Sequence, residues 1–259
     1  MALTKVGKEG VVGLDNSADA TAITITSAEK VGIGISNPAS YDDGGDKLVV
    51  GDTSGRSGIT IVTGTSNDGS INFADGTSGT ASYMGYINYH HNTNEMKLAT
   101  NGGARLVIDA NGHVTMPSQP AFSVNKGGTD QTNMSVGDPP TVVTFGTEIF
   151  DQNGDFASNT FTAPVTGKYQ LTANLYLNQV DSASDYYVLQ MITSNRNYQN
   201  IFDPDFGQDA GFWTFNVSVL ADMDANDTVQ IKFYQNNGTA QTEISGSATA
   251  TFFTGYLVA

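Results

Sequence analysis

The stretch SATATFFTGYLVA, Ser247–Ala259, decides the fold class. It carries no charged residue, and its last residues alternate without a polar side. Phe252, Tyr256 and Val258 share one parity; Phe253, Leu257 and Ala259 share the other. In an extended strand successive side chains point to opposite faces, so both faces of this strand are apolar. Something must cover each of them.

Working back from that strand, five more segments repeat a period of two: TVVTFGTEIF from Thr141, GKYQLTANLYLNQV from Gly167, YYVLQMITS from Tyr186, FWTFNVSVLADM from Phe212 and TVQIKFYQ from Thr228. Tyr169, Leu171, Ala173 and Leu175 fall on one face, as do Trp213, Phe215, Val217 and Val219, and then Val229, Ile231 and Phe233. Six such runs with turn signals between them predict an antiparallel sandwich with one buried face per strand. No segment has helical periodicity, so the chain is expected to be all-β.

Composition agrees. Charged residues are 14% of the chain, well under the usual quarter, while Gly numbers 29. That mix suits short strands and many turns. The net charge of −15 disfavours binding to nucleic acid and adhesion to an anionic membrane. With no cysteine, disulfides, thiolate metal sites and thiol chemistry are excluded. The first residues, MALTKVGKEG, have no apolar core of a secretory signal, and no run approaches the length of a membrane helix. Synthesis and folding in a cytosol, without membrane insertion, is therefore expected.

MPSQP, Met116–Pro120, is the best boundary, because Pro117 and Pro120 both lack an amide donor and restrict φ. Before it lie small β units with Gly-rich joints. GVVGL, TAITIT and KLVVG are short strand candidates, GYINYHHNTNEMKLATNG has two alternating runs around a polar turn, and ARLVIDANGHVTM is a hairpin at Asn111-Gly112. Between Gly51 and Gly79 the large apolar residues are few, too few for a core within one chain. Strands from several chains wrapped on one axis would share a core. A disordered linker is the alternative; the alternation is more regular than a tether needs.

Residues 121–259 resemble the globular head of complement component one-q, in the tumour-necrosis-factor-like jelly-roll superfamily. The carrying residues are Phe145, Asp151, Phe156, Phe161, Gly167 and Tyr169, with APVTGKYQL around the last two, and the closing FFTGYLV. The Phe156 to Phe161 gap is two residues short of the usual pattern, and Leu171 and Ala173 stand where aromatics are usual, which points to a divergent, prokaryotic or viral member. The resemblance implies a homotrimer whose last strand has one face on the sandwich core and the other on two sister protomers. Phe252, Phe253, Tyr256 and Leu257 are then trimer-interface or core residues. Phe253 is expected at the shared interface, where its burial would contribute on the order of 4 kcal/mol. Relatives hold calcium near the axis; no ligands for calcium can be assigned in this chain.

The first part is similar to pieces of bacteriophage tail fibres: KVGIGISNPAS resembles a recurring Val-Gly-Ile-Gly element, and GGARLVIDANGHVTM the hairpin that recurs beside it. The combined expectation is a homotrimeric virion fibre. Residues 1–30 would attach to a phage tail or capsid protein, 31–120 would form the β-rich shaft, and 121–259 would be the jelly-roll knob that binds a host surface glycan or protein.

Catalysis is not expected. Asp203, Asp205 and Asp209 in FDPDFGQDAGFW are the carboxylates a polysaccharide-degrading tailspike would use, but Pro204, Gly207 and Gly211 mark a surface loop where Asp serves turns. A purely structural or decorating protein is the other alternative. DMDANDTV, Asp222–Val229, lacks the spacing of an EF-hand and reads as a turn. His90, His91 and His113 lie in hairpin turns and are read as solvated, with no metal assigned. The receptor contacts are expected on SNRNYQNIFDPDFGQD, where Asn197, Tyr198, Asn200, Phe202, Asp203, Asp205 and Phe206 set planar hydrogen-bonding groups beside aromatic faces, a combination that suits a sugar. The alternative is that Phe202 and Phe206 tuck beneath the loop as minor core.

Overall fold

The computed structural model describes residues 23–259. GVVGL and most of the attachment segment lie outside the described residues. Among the described residues the only helical pieces are two 3-10 turns, Pro38–Ser40 and Gly79–Tyr83, so the all-β expectation holds. Two compact units divide between Gly69 and Ser70.

The first unit holds a three-stranded sheet of β1 (Ile23–Ile25), β2 (Val31–Ile33) and β3 (Leu48–Val50), antiparallel then parallel. A Cβ on Gly32 would sit 2.3 Å from the Ile35 carbonyl oxygen, which is why VGIG needs glycine there. Lys30 pairs with the buried carboxylate of Asp46. ITIVT, Ile59–Thr63, forms no strand.

Across that division starts a five-stranded sheet in sequence order, which belongs to the second unit from Ser70 on: β4 (Asp68–Phe73), β5 (Gly85–His90), β6 (Glu95–Thr100), β7 (Gly103–Ile108) and β8 (Val114–Thr115). Asn101 and Gly102, both at positive φ, turn β6 into β7. In the next turn the Asp109 carboxylate accepts from the Asn111 and His113 amides. Met116–Pro120 then leads into the head.

The head is two antiparallel sheets. One runs β11 (Thr147–Asp151), β9 (Ala121–Asn125), β20 (Phe252–Leu257), β14 (Gly167–Val180) and β17 (Ala210–Met223), with β19 (Glu243–Ile244) beside β14. The other runs β12 (Phe156–Ala157), β13 (Thr160–Thr162), β18 (Thr228–Asn236), β15 (Tyr186–Thr193) and β16 (Asn197–Phe202), with β10 (Thr141–Val142) beside β18. Strands next to each other in sequence mostly lie in opposite sheets, the crossing pattern of a jelly roll.

The phenylalanines that suggested this fold converge. Phe122 stacks on Phe156 and Phe161 and meets Phe253 edge-on, and Phe145 closes the cluster against Phe156 and Phe253. The Asp151 carboxylate accepts from the Asp155 and Phe156 amides, closing the turn that delivers Phe156. Gly255 lies between Leu171 and Phe122, whose nearest atoms are each 2.6 Å from where a Cβ would be.

Phe253 itself is fully buried between the sheets of a single chain. This corrects the expectation that it lies between protomers: register puts it opposite Ala173 and Val124, both buried core residues. Leu257 packs on the same core. The outward parity of β20 belongs to Phe252 and Tyr256.

Candidate functional site

Two surfaces of the head are candidates. The first is the outward face of the sheet through β9, β20, β14 and β17. Its rows read Asn125, Phe252, Asn174, Asn216; then Ser123, Thr254, Thr172, Ser218; then Ala121, Tyr256, Gln170, Leu220. The middle row is knitted internally, with Thr172 and Ser218 hydroxyls 2.8 Å apart and the Gln170 amide donating to Ser218 at 3.0 Å. Around it stand exposed large side chains, Tyr256 at 53%, Leu220 at 57% and Phe212 at 69% exposure, the last beside Tyr176. None of the twelve residues in these rows is charged, in a chain of net charge −15. Charge depletion with aromatic enrichment is the composition of an interface centre.

The second surface is the stretch expected to contact a receptor. It is not one loop: Asn197–Phe202 is the strand β16 at the edge of its sheet, and only Asp203–Asp209 is loop. Alternation along β16 splits the expected contacts. Tyr198 and Phe202 pack toward the core, while Asn197, Gln199 and Ile201 face solvent. Phe202 stacks on Tyr187 and Trp213 and meets Phe215 edge-on, so it is core, as the alternative reading had it. The Asn200 amide is engaged by the Asn216 carbonyl at 2.6 Å. Phe206 stays exposed, 5.2 Å centroid to centroid from Trp213, which is also exposed. Trp213 was expected on the buried face with Phe215 and Val217 and not among the receptor contacts; at the end of β17 it is instead 38% exposed, beside Phe206.

The carboxylates of this loop serve its shape. Asp203 accepts from the Asp205 amide, and Asp209 accepts from the Ser182 amide and hydroxyl and from Gln241. The Gln241 and Ser182 hydrogen bonds hold the Asp209 carboxyl below the usual range, opposite to what a general acid requires. In DMDANDTV, Asp227 accepts from the Asp224 amide and from Asn195, and Asn226 has positive φ: a turn. Arg196 pairs with Asp222. The Asp109 carboxylate meets the His113 ring at 2.9 Å, and His90 meets Thr93 at the same distance.

Residues 121–258 match the family model of the C1q domain. This chain belongs to the C1q domain family. Similar solved structures include the globular domain of a zebrafish complement 1qA protein, at 19% identity over 55% of this chain and 98% of that one with a TM-score of 0.39. Murine APRIL at pH 8.5 is similar at 11% identity over 54% of this chain and all of that one, with a TM-score of 0.40. No curated protein matches the chain. As a C1q domain, the head has its jelly-roll motifs where the phenylalanine cluster is, and the family match ends at Val258, one residue past β20.

Proposed function

We propose that this chain is a homotrimeric bacteriophage fibre protein whose C1q-type head binds the host surface by multivalent contact, without chemical turnover. The observation that carries the reading is the uncharged outward face of β9, β20, β14 and β17. Uncharged, with Tyr256, Leu220 and Phe212 exposed on it, this face has the composition of an interface, and the family resemblance implies that two sister protomers cover it. The fibre assignment is supported by the tail-fibre-like VGIG element and Asn-Gly hairpin ahead of the head. The receptor surface is the Asp203–Asp209 loop with Phe206 over Trp213, an aromatic shelf beside hydrogen-bonding groups.

Light scattering of the purified chain should report about three times 27.3 kDa. The same protein should compete with phage for adsorption sites on host cells and should leave host polysaccharide uncut. A monomer removes the architecture. A trimer that neither competes nor cuts is a decorating protein, and one that cuts is a tailspike.

A further inference from the structure

The five-stranded sheet β4–β8 lies outside the C1q match and leaves an apolar face open in a single chain. Register aligns Ile87 with Leu98 and Leu106, and Tyr89 with Met96, Ile108 and Val114. The Asn88 amide donates to the Ser70 hydroxyl, which sets Ser70 and Asn88 on one face and Ile71, Phe73 and Ile87 on the other. One face is therefore apolar throughout, and it is the open one: Phe73 is 61% exposed, Val114 56%, Ile71 47% and Leu98 42%, with Ile87 and Met96 also exposed. The opposite face is mixed and more buried: Ser70, Asn88, Glu95, Lys97 and Thr115 share it with Tyr86, Ala99 and Val107. There Asn88 is buried and Glu95 and Lys97 pair at 3.0 Å.

Ordinary burial puts the apolar face inside and the polar face in water. Those six open side chains expose on the order of 500 Å² of apolar surface, at the upper end for a monomer and approaching the ~800 Å² per partner of a standard interface. We infer that the apolar face of β4–β8 is a second interface between copies of this chain, separate from the head. The occupant is a second copy for two reasons. The face has no charge by which to select an oppositely charged partner. It is also tied by only the five residues Met116–Pro120 to β9, the strand beside β20 whose open face carries Phe252 and Tyr256. A trimeric head would hold three such sheets at an effective concentration in the millimolar range through that short link. The inference rests on the threefold assembly proposed above.

The chain has no cysteine, so single cysteines report cleanly. Ile71 and Asn72 are neighbours on β4, both exposed in one protomer and pointing to opposite faces. In full-length Ile71→Cys and Leu98→Cys, a maleimide should label at least tenfold more slowly than in Asn72→Cys, all under native conditions. Equal labelling of Ile71→Cys and Asn72→Cys in a protein that scatters as a trimer overturns the neck interface and leaves the head trimer standing. Equal labelling in a protein that scatters as a monomer overturns both.

Discussion

Phe253 and Tyr256 are three residues apart and answer to different forces. Phe253 is packed by Phe122, Phe145 and Phe156 within one chain, so Phe253→Ala should cost about 3–5 kcal/mol and lower the urea midpoint whatever the oligomeric state. Tyr256→Asp should keep the head's melting transition but lose the threefold mass in light scattering, since it places a charge on the open uncharged face. A similar contrast separates receptor contact from core. Phe206→Ala should weaken host-cell binding by tenfold or more with little change in melting, whereas Phe202→Ala, removing the ring between Tyr187 and Trp213, should melt the head early. Asp155 carries a pH signature. Burial, aided by the Asp151 charge, raises its carboxyl from 3.8, and its Oδ2 is buried without a hydrogen bond. A raised folded pKa gives stability that is present below the unfolded value and lost as pH rises through the folded one. Asp155→Asn should therefore melt higher than the parent at pH 7 and level with it near pH 3; a lower melt at pH 7 would mean the carboxylate is satisfied.

At the scale of the element, β20 shows what a strand's neighbours demand of it. It lies between β9 and β14, so its inward residues have no freedom to lean aside. Gly255 is the tightest point, and a methyl there would press on both Leu171 and Phe122. Gly255→Ala should cost roughly 1–3 kcal/mol in a urea titration, the usual penalty for overpacking a filled core. The strands of this head were legible in the sequence because period two with Gly and Asn turns is a local signal. β16 was read as loop because Asn-rich polar residues alternate with its aromatics, and its place at the sheet edge lets polar side chains line a strand.

For the whole molecule, the uncharged outward face of the head and the open apolar face of β4–β8 are what support the proposal that the protomer is not the functional unit. Deleting residues 1–22, which spares β1 and the Lys30 pair with Asp46, should leave a soluble trimer that no longer incorporates into virions, checked by blotting purified particles from a complementation assay. Normal incorporation would move the docking site elsewhere.

The sequence by itself determined that the chain is all-β, that its last strand is apolar on both faces, and that the Phe, Asp, Gly and Tyr spacing is that of a C1q-type jelly roll. The first two are properties of alternation and turn chemistry, which act over a few residues; the third came from the family resemblance, which the C1q match over 121–258 bears out. Only the tertiary structure decided which parity is inside. Alternation names two faces without ranking them, and the choice that put Phe253 in the core and Tyr256 outside came from the layer beneath, where Phe122, Phe145 and Phe156 fill one side of β20. The same is true of β4–β8. Its two faces were readable from the alternation, but that the apolar one is open emerged only when the five strands were paired and none of the described residues covered it.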